Sequence, residues 1–342
     1  MNKHFLTTLK FIIFLALGAF LIWLAIKDLT EEDKLQIKNS LSNANYLWVA
    51  LSMFVGILAH LSRAVRWKML LLPLGYKPKL SNTFYAVMSG YLGNLALPRL
   101  GEVLRCGILK RYEKIPLTQS FGTVIAERVI DLFMLFIIFS ISAWIEYEKL
   151  HSYISQHIIS PLKLKLYSYL ENRMTFFLLI LIILGIILLL FFFRKRILQN
   201  SIAQKIRALL LNFLEGIRTV AKVKSPLLFI FHSLFIWVMY LCTVFLCVFA
   251  FKETSTLSIS DCLVIMTFGS LGVIATPGGI GAYQWIVLQI MLLWGFTTAT
   301  GVAFGWVVWL AQTSVVLLVG FLSLALLAIN NKEEAPQPKG SY

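Results

Sequence analysis

The sequence predicts an all-α integral membrane protein of about six full transmembrane helices plus two re-entrant hairpins, arranged as an inverted repeat. Composition is the first reason: hydrophobic residues make up 59% of the 342-residue chain and charged residues only 14%, whereas about a quarter of a soluble domain is charged. A second is internal repetition. The stretch from Gly90 to Pro98 recurs from Gly269 to Pro277, matching at Gly90/Gly269, Leu92/Leu271, Gly93/Gly272, Ala96/Ala275 and Pro98/Pro277 with a constant offset of 179 residues. The third is that this offset also carries the apolar run at 46–72 onto 225–251 and the run at 117–145 onto 296–324.

An apolar stretch of about 20 residues crosses the hydrocarbon core as a helix. Six stretches qualify, at 8–26, 46–72, 117–145, 174–193, 226–251 and 300–328. The first begins with Lys3 and Lys10 but runs on without a small-residue cleavage site, so it reads as a retained signal-anchor rather than a removed signal. Two further segments, 81–98 and 260–294, are broken by Gly and Pro. Non-helical backbone at membrane depth is tolerated only inside protein or beside a water-filled cavity, so these are read as hairpins turning at 97–102 and at 276–281. Residues 1–173 and 174–329 then form the two halves, each with three spans and one hairpin. An odd number of crossings inverts the second half, with the hairpin tips meeting near the midplane. Paired broken segments in two halves point to a transporter binding site.

Between the halves, 194–224 is basic and partly amphipathic. It reads as a helix on the inner membrane surface or as a solvated connector. The tail, 330–342, is expected to be flexible. The net charge of +15 is explained by topology. With the N-terminus inside, the inner segments hold 22 Lys and Arg and the outer ones eight, which is the bias that orients membrane proteins. Both termini are therefore expected on the cytoplasmic face of a bacterial-type inner (plasma) membrane. Nucleic acid is not an expected partner. An anionic membrane lipid is, as substrate, along with a second copy of the chain. The four cysteines lack the spacing of a metal site or a disulfide framework, and no metal or cofactor is expected.

The candidate chemistry clusters around the first hairpin. Arg63 and Arg66 end the second span, while Arg99 and Arg105 flank the hairpin turn that also contains Asn94, Pro98, Gly101 and Glu102. Arginine offers a planar fork of donors suited to phosphate and stays charged when partly desolvated. Arg63, Arg66, Arg99 and Arg105 are therefore candidates to hold a lipid phosphate. The alternative for Arg63 and Arg66 is that they anchor a helix end by snorkelling. Glu127, Arg128 and Asp131 lie inside an apolar run, where each charge costs about 2.5 to 3.5 kcal/mol on insertion scales. Arg128 and Asp131 are expected to pair, with Glu127 facing a cavity as a protonatable relay. A structural ion-pair lock between helices is the alternative. In the second hairpin, Pro277, Gly278, Gly279 and Gly281 form the turn, followed by Gln284 and Trp285, which place an amide and an indole N–H near the tip. This is not a P-loop, since no Gly-Lys-Ser/Thr follows. No ATP motif is visible, so transport is expected to be downhill or ion-coupled.

Together, Arg63-x-x-Arg66-Trp67, Asn94-x-x-x-Pro98-x-x-Gly101-Glu102-x-x-Arg105, Glu127-Arg128-x-x-Asp131 and Pro277-Gly278-Gly279-x-Gly281 resemble the transmembrane region of lysylphosphatidylglycerol synthases, a flippase-like family. The resemblance extends from about residue 8 to 328. It implies a protein that moves a phospholipid or polyprenyl-phosphate lipid between leaflets, with a membrane-embedded glycosyltransferase or glycan-assembly accessory as the alternative. The bifunctional members carry an aminoacyl-transferase domain after the membrane region. This chain ends soon after its last expected span, so it is expected not to be an enzyme of that kind. Family members often carry Glu shortly after the second turn, where this sequence has Gln284.

Overall fold

The computed structural model describes residues 16–147, apart from Leu17, Asp28 and Pro98, together with residues 223–331. The expected span at 174–193, the basic segment up to residue 222 and the tail from residue 332 lie outside the described residues, as do residues 8–15 and Leu17 of the first span. Within the described residues the chain is helical and contains no strand.

Residues 18–26 are helical and lead to α1 (Glu31–Ser42), which the sequence reading left as an outer loop. Thr30 opens it with a capping box: its hydroxyl accepts from the Asp33 N–H while the Asp33 carboxylate accepts from the Thr30 N–H. The Thr30 hydroxyl also donates to Asp33 Oδ2 at 2.7 Å, and this bond first, then the one from the Thr30 N–H, holds the Asp33 carboxyl below its ordinary value. After a break at residues 43–45 the chain continues as α2 (Tyr46–Leu71), capped by Asn45. The first hairpin consists of α3 (Leu80–Ala96) and α4 (Leu100–Glu113), so its returning limb extends well past the expected 81–98. Next comes α5 (Leu117–Ile145), followed across the undescribed segment by α6 (Pro226–Val248). The second hairpin is α7 (Ile259–Ala275) and α8 (Ala282–Leu293), joined by a 3-10 turn at Pro277–Gly279. The last helix is α9 (Thr298–Asn330). Three of these helices are long and apolar enough to cross a membrane: Tyr46–Leu74, Pro226–Val248 and Thr298–Asn330. Bulky apolar side chains such as Phe136, Trp144, Leu227 and Leu318 are exposed on α5, α6 and α9, as on helices that face lipid.

The 179-residue offset recurs in the helices. It carries the bounds of α3 onto those of α7 residue for residue. Packing partners are exchanged in the same way. α2 lies against α3 as α6 lies against α7, α4 against α5 as α8 against α9, and α3 against α9 as α7 against α5. The remaining equivalent pair, α2 and α6, pack on each other and run antiparallel. The Asn45 N–H donates to Ala250 O at 2.9 Å, the Ser52 hydroxyl to Thr243 O at 2.9 Å, and Ser62 Oγ lies 2.8 Å from His232 Nδ1.

The repeated glycines let the limbs of each hairpin close onto one another. Gly90, on α3, meets Gly101 on α4 so tightly that a Cβ on Gly101 would collide with Gly90 O; a Cβ on Gly272 would lie 2.8 Å from the Tyr283 backbone nitrogen. The two turns also meet. Leu95 packs against Gly278, whose carbonyl accepts from Trp309 Nε1 at 2.8 Å.

Candidate functional site

Three helices bring their ionisable residues to one buried point. Arg63 and Arg66 are three residues apart on α2 and share a face, as do Glu127 and Asp131, four apart on α5. The tight first turn places Arg105 of α4 beside them. The Arg63 Nη1 donates to Glu127 Oε1 at 2.8 Å and also reaches Asp131 Oδ2. From Arg66, Nη2 reaches Asp131 Oδ1 and, more distantly at 3.5 Å, Glu127 Oε1, while Nη1 donates to Ser233 Oγ at 3.2 Å. The Arg105 Nη2 donates to Glu127 Oε2 at 2.9 Å. Arg66 is fully buried and Glu127 is 1% exposed. Three guanidiniums face two carboxylates, a net charge of +1 for the group.

Aromatic side chains form the surroundings. The Arg105 guanidinium lies 4.5 Å from the ring centroid of Trp67, whose Nε1 donates to Thr123 Oγ1 at 2.9 Å. Arg63 reaches the Tyr240 hydroxyl at 3.4 Å and lies over Tyr91, against which His60 also packs. Sequence reasoning did not single out Thr123, Ser233, Tyr240, Tyr91 or His60. One signal was available: Thr123 stands one helical turn before Glu127, on the same face. The partners on α6 had none beyond being polar atoms in an apolar helix.

The donors outnumber the acceptors. The Nε–H groups of Arg63, Arg66 and Arg105 are all buried, and none has a hydrogen-bond partner among the described residues. Buried polar groups are rarely left unpaired, at a cost of about 1 to 3 kcal/mol each and more for charged groups. The group as it stands therefore has donor capacity left for additional acceptor atoms and for negative charge.

Several expectations are corrected here. Arg128 does not pair with Asp131. Its Nη2 donates to Glu102 Oε1 at 3.0 Å on the flank of the cluster, with the Arg128 side chain 46% exposed. The reason is helical geometry. Asp131 and Glu127 point together at α2, whose two arginines take Asp131, while Arg128 is turned toward α4. Glu127 gives both oxygens to the three arginines. A cleft of about 640 Å³ lined by Trp144, Tyr147, Ser258 and Asp261 lies at the other end of α5. Arg63 and Arg66 do not snorkel but are buried. Arg99 stands apart from the other three arginines: it is exposed at the first turn with φ of 68° and has no ion pair or hydrogen bond among the described residues. Its backbone makes the turn, while Asn94 caps α4 by accepting from the Gly101 N–H at 2.8 Å. Pro98 lies outside the described residues.

At the second turn Gly278, Gly279 and Gly281 all have positive φ, which glycine adopts without strain. Gln284 is buried, and its Oε1 accepts from the Gly281 N–H at 2.8 Å. Gln284 thus caps α8 as Asn94 caps α4. Trp285 is half-buried and packs against Ala25, Leu288 and Val302, away from the arginines.

Comparison with known proteins gives a family for this arrangement. Residues 11–320 match the family described as the lysylphosphatidylglycerol synthase TM region. The UPF0104 membrane protein MJ1595 of Methanocaldococcus jannaschii is 34% identical over 132 residues, which cover 37% of this chain and 39% of that protein. The glycosyltransferase AglD of Haloferax volcanii is 29% identical over 101 residues, 29% of this chain and 16% of that enzyme. The matched segments therefore span well under two thirds of either relative. No solved structure matches the chain. With the family covering nearly all of the sequence and three helices apolar enough to span a bilayer, the chain is a membrane protein belonging to the lysylphosphatidylglycerol synthase transmembrane-region family.

Proposed function

We propose that this protein carries a phosphate-bearing lipid across the membrane, with Arg63, Arg66 and Arg105 as the phosphate-binding groups. The observation that carries this reading is the buried cluster of net charge +1 whose three guanidinium Nε–H groups have no hydrogen-bond partner among the described residues. Uncompensated charge inside a membrane protein is expensive and marks sites that meet an ionic substrate. A lipid phosphate supplies both the missing charge and the missing acceptors, and its acyl or prenyl tails remain in the bilayer.

The architecture supports transport rather than static anchoring. Equivalent helices α2 and α6 run antiparallel and the halves exchange packing partners, as in an inverted repeat whose two hairpins enter from opposite faces. Folds of this kind work by rocking one repeat against the other around a site between them. The turns at Leu97–Arg99 and Pro277–Gly281 are the hinges in this account, and the Lys/Arg bias between alternate loops supports a topology with both termini in the cytoplasm.

A second reading draws on the resemblance to AglD, named as a glycosyltransferase. In it the cluster holds a polyprenyl phosphate for glycan assembly without moving it between leaflets. Reconstitution separates the two. In proteoliposomes containing headgroup-labelled phospholipids or a labelled polyprenyl phosphate, transport predicts loss of protection from dithionite for at least one lipid at a rate that scales with protein content. Binding of polyprenyl phosphate with full protection retained would favour the glycan-assembly reading.

A further inference from the structure

We infer that Glu127 is a built-in substitute for the substrate's phosphate: its carboxylate occupies the place that the phosphate takes on binding, and the phosphate displaces it. This rests on the lipid-phosphate reading of the cluster given above.

Among the described residues, Glu127 is the acceptor that touches all three guanidiniums. Its two oxygens divide the work, Oε1 serving the α2 arginines and Oε2 serving Arg105 on α4. A phosphate presents the same feature, two or three terminal oxygens spread around one centre, to the same donors. It also has further lone pairs, which the unpartnered Nε–H groups of Arg63, Arg66 and Arg105 require. Glu127 therefore meets part of the demand of this site, and a phosphate meets more of it.

The second carboxylate makes exchange feasible without dismantling the helix pair. Asp131, one turn further along α5, holds both Arg63 and Arg66 by itself. When Glu127 rotates away, α5 stays docked on α2 through Asp131, and Arg105 is the group released. Arg105 sits on the returning limb of the first hairpin, seven residues past Pro98. Exchange of Glu127 for phosphate thus bears directly on the hairpin. With Glu127 in place, α5 and α4 are tied together. With phosphate in place, that buried tie passes through the substrate, while the Arg128–Glu102 pair on the flank is unchanged.

The test uses the purified full chain in detergent with inorganic phosphate as the probe, at constant ionic strength. Glu127→Gln removes the competing charge and should bind phosphate at least tenfold more tightly than the wild type. Adding Arg105→Gln to that variant should remove most of the gain. If Glu127→Gln folds poorly, thermal unfolding supplies the reading: phosphate should raise its midpoint more than that of the wild type, and chloride should not. Equal phosphate affinity in the two proteins, or a Glu127→Gln midpoint indifferent to phosphate, overturns the inference. Phosphatidic acid in mixed micelles should compete with inorganic phosphate. Absence of competition would assign the site to free phosphate and overturn the lipid assignment. Lipid transport by the wild type is measured alongside. Transport without an affinity gain in Glu127→Gln removes the substitute role and leaves transport standing, whereas an affinity gain without wild-type transport keeps the anion site and removes the transport reading.

Discussion

Arg105 donates to Glu127 across 2.9 Å, a buried bond that joins the returning limb of the first hairpin to the helix that follows it, beside the more exposed Arg128–Glu102 pair between the same helices. Glu127 is almost completely buried and keeps Arg63 and Arg66 on its other oxygen, whereas Arg105 has Glu127 as its ion-pair partner among the described residues and is covered on one face by Trp67. Removing Arg105 leaves Glu127 with Arg63 and Arg66 but takes away a buried, charge-assisted hydrogen bond, a kind that contributes about 1.5 to 3 kcal/mol. Arg105→Ala should therefore lower the thermal unfolding midpoint substantially in detergent. Unfolding indistinguishable from wild type would mean that the pair carries no stability.

The flanking pair should behave differently. Arg128 is nearly half exposed where it meets Glu102, and exposed ion pairs contribute about 0 to 1 kcal/mol. Arg128→Ala should shift stability by less than about 1 kcal/mol, while Arg66→Ala, which uncovers two buried carboxylate contacts, should shift it several times more. The ratio of the two, read in the same denaturation experiment, checks the assignment of which arginine belongs to the cluster.

Close approach of the hairpin limbs yields a matched pair of predictions. Gly101→Ala would push a methyl group into the Gly90 carbonyl, and Gly272→Ala would push one against the Tyr283 backbone. Overpacking of this kind costs about 1 to 3 kcal/mol, and both variants should lose stability. Substitution at Gly107, where an added Cβ meets nothing within 4 Å, should be tolerated, as measured by the yield of folded protein in size-exclusion chromatography.

The meeting of the two turns can be trapped. Leu95 packs on Gly278, so cysteines at these two positions, in a chain with its four native cysteines replaced, should cross-link under mild oxidation. If the hairpins separate during transport, cross-linking should stop lipid movement and reductant should restore it. Efficient cross-linking with unchanged transport would show that the turns do not part.

Much of the helical framework was legible in the sequence because apolar run length and Gly/Pro breaks are local properties. The bounds of α5 match the expected run, and those of α2 fall within a residue. The 179-residue repeat foreshadowed the shared bounds of α3 and α7. The helix α1 was missed although Thr30 and Asp33 form its capping box, because its polar composition reads as loop when only apolar periodicity is followed. At the site, the convergence of Arg63, Arg66 and Arg105 could be anticipated from residue type, whereas the pairing could not. Arg128 lies closer in sequence to Asp131 than Arg63 does, and which of them pairs depends on the face α5 presents to α2. That is fixed by packing between helices far apart in the chain. Arg99 shows the same limit, since it sits in the turn with a left-handed backbone and an exposed side chain that makes no ion pair among the described residues.

The most direct test of the account compares lipids that differ only in carrying a phosphate. In proteoliposomes holding the wild type or Arg66→Gln, translocation is measured for a labelled glycerophospholipid and for a labelled diacylglycerol glycoside without phosphate. The account predicts that the wild type moves the phosphate-bearing lipid and not the glycoside, and that Arg66→Gln moves neither. Equal movement of both lipids by the wild type, or undiminished phospholipid movement by Arg66→Gln, would contradict it.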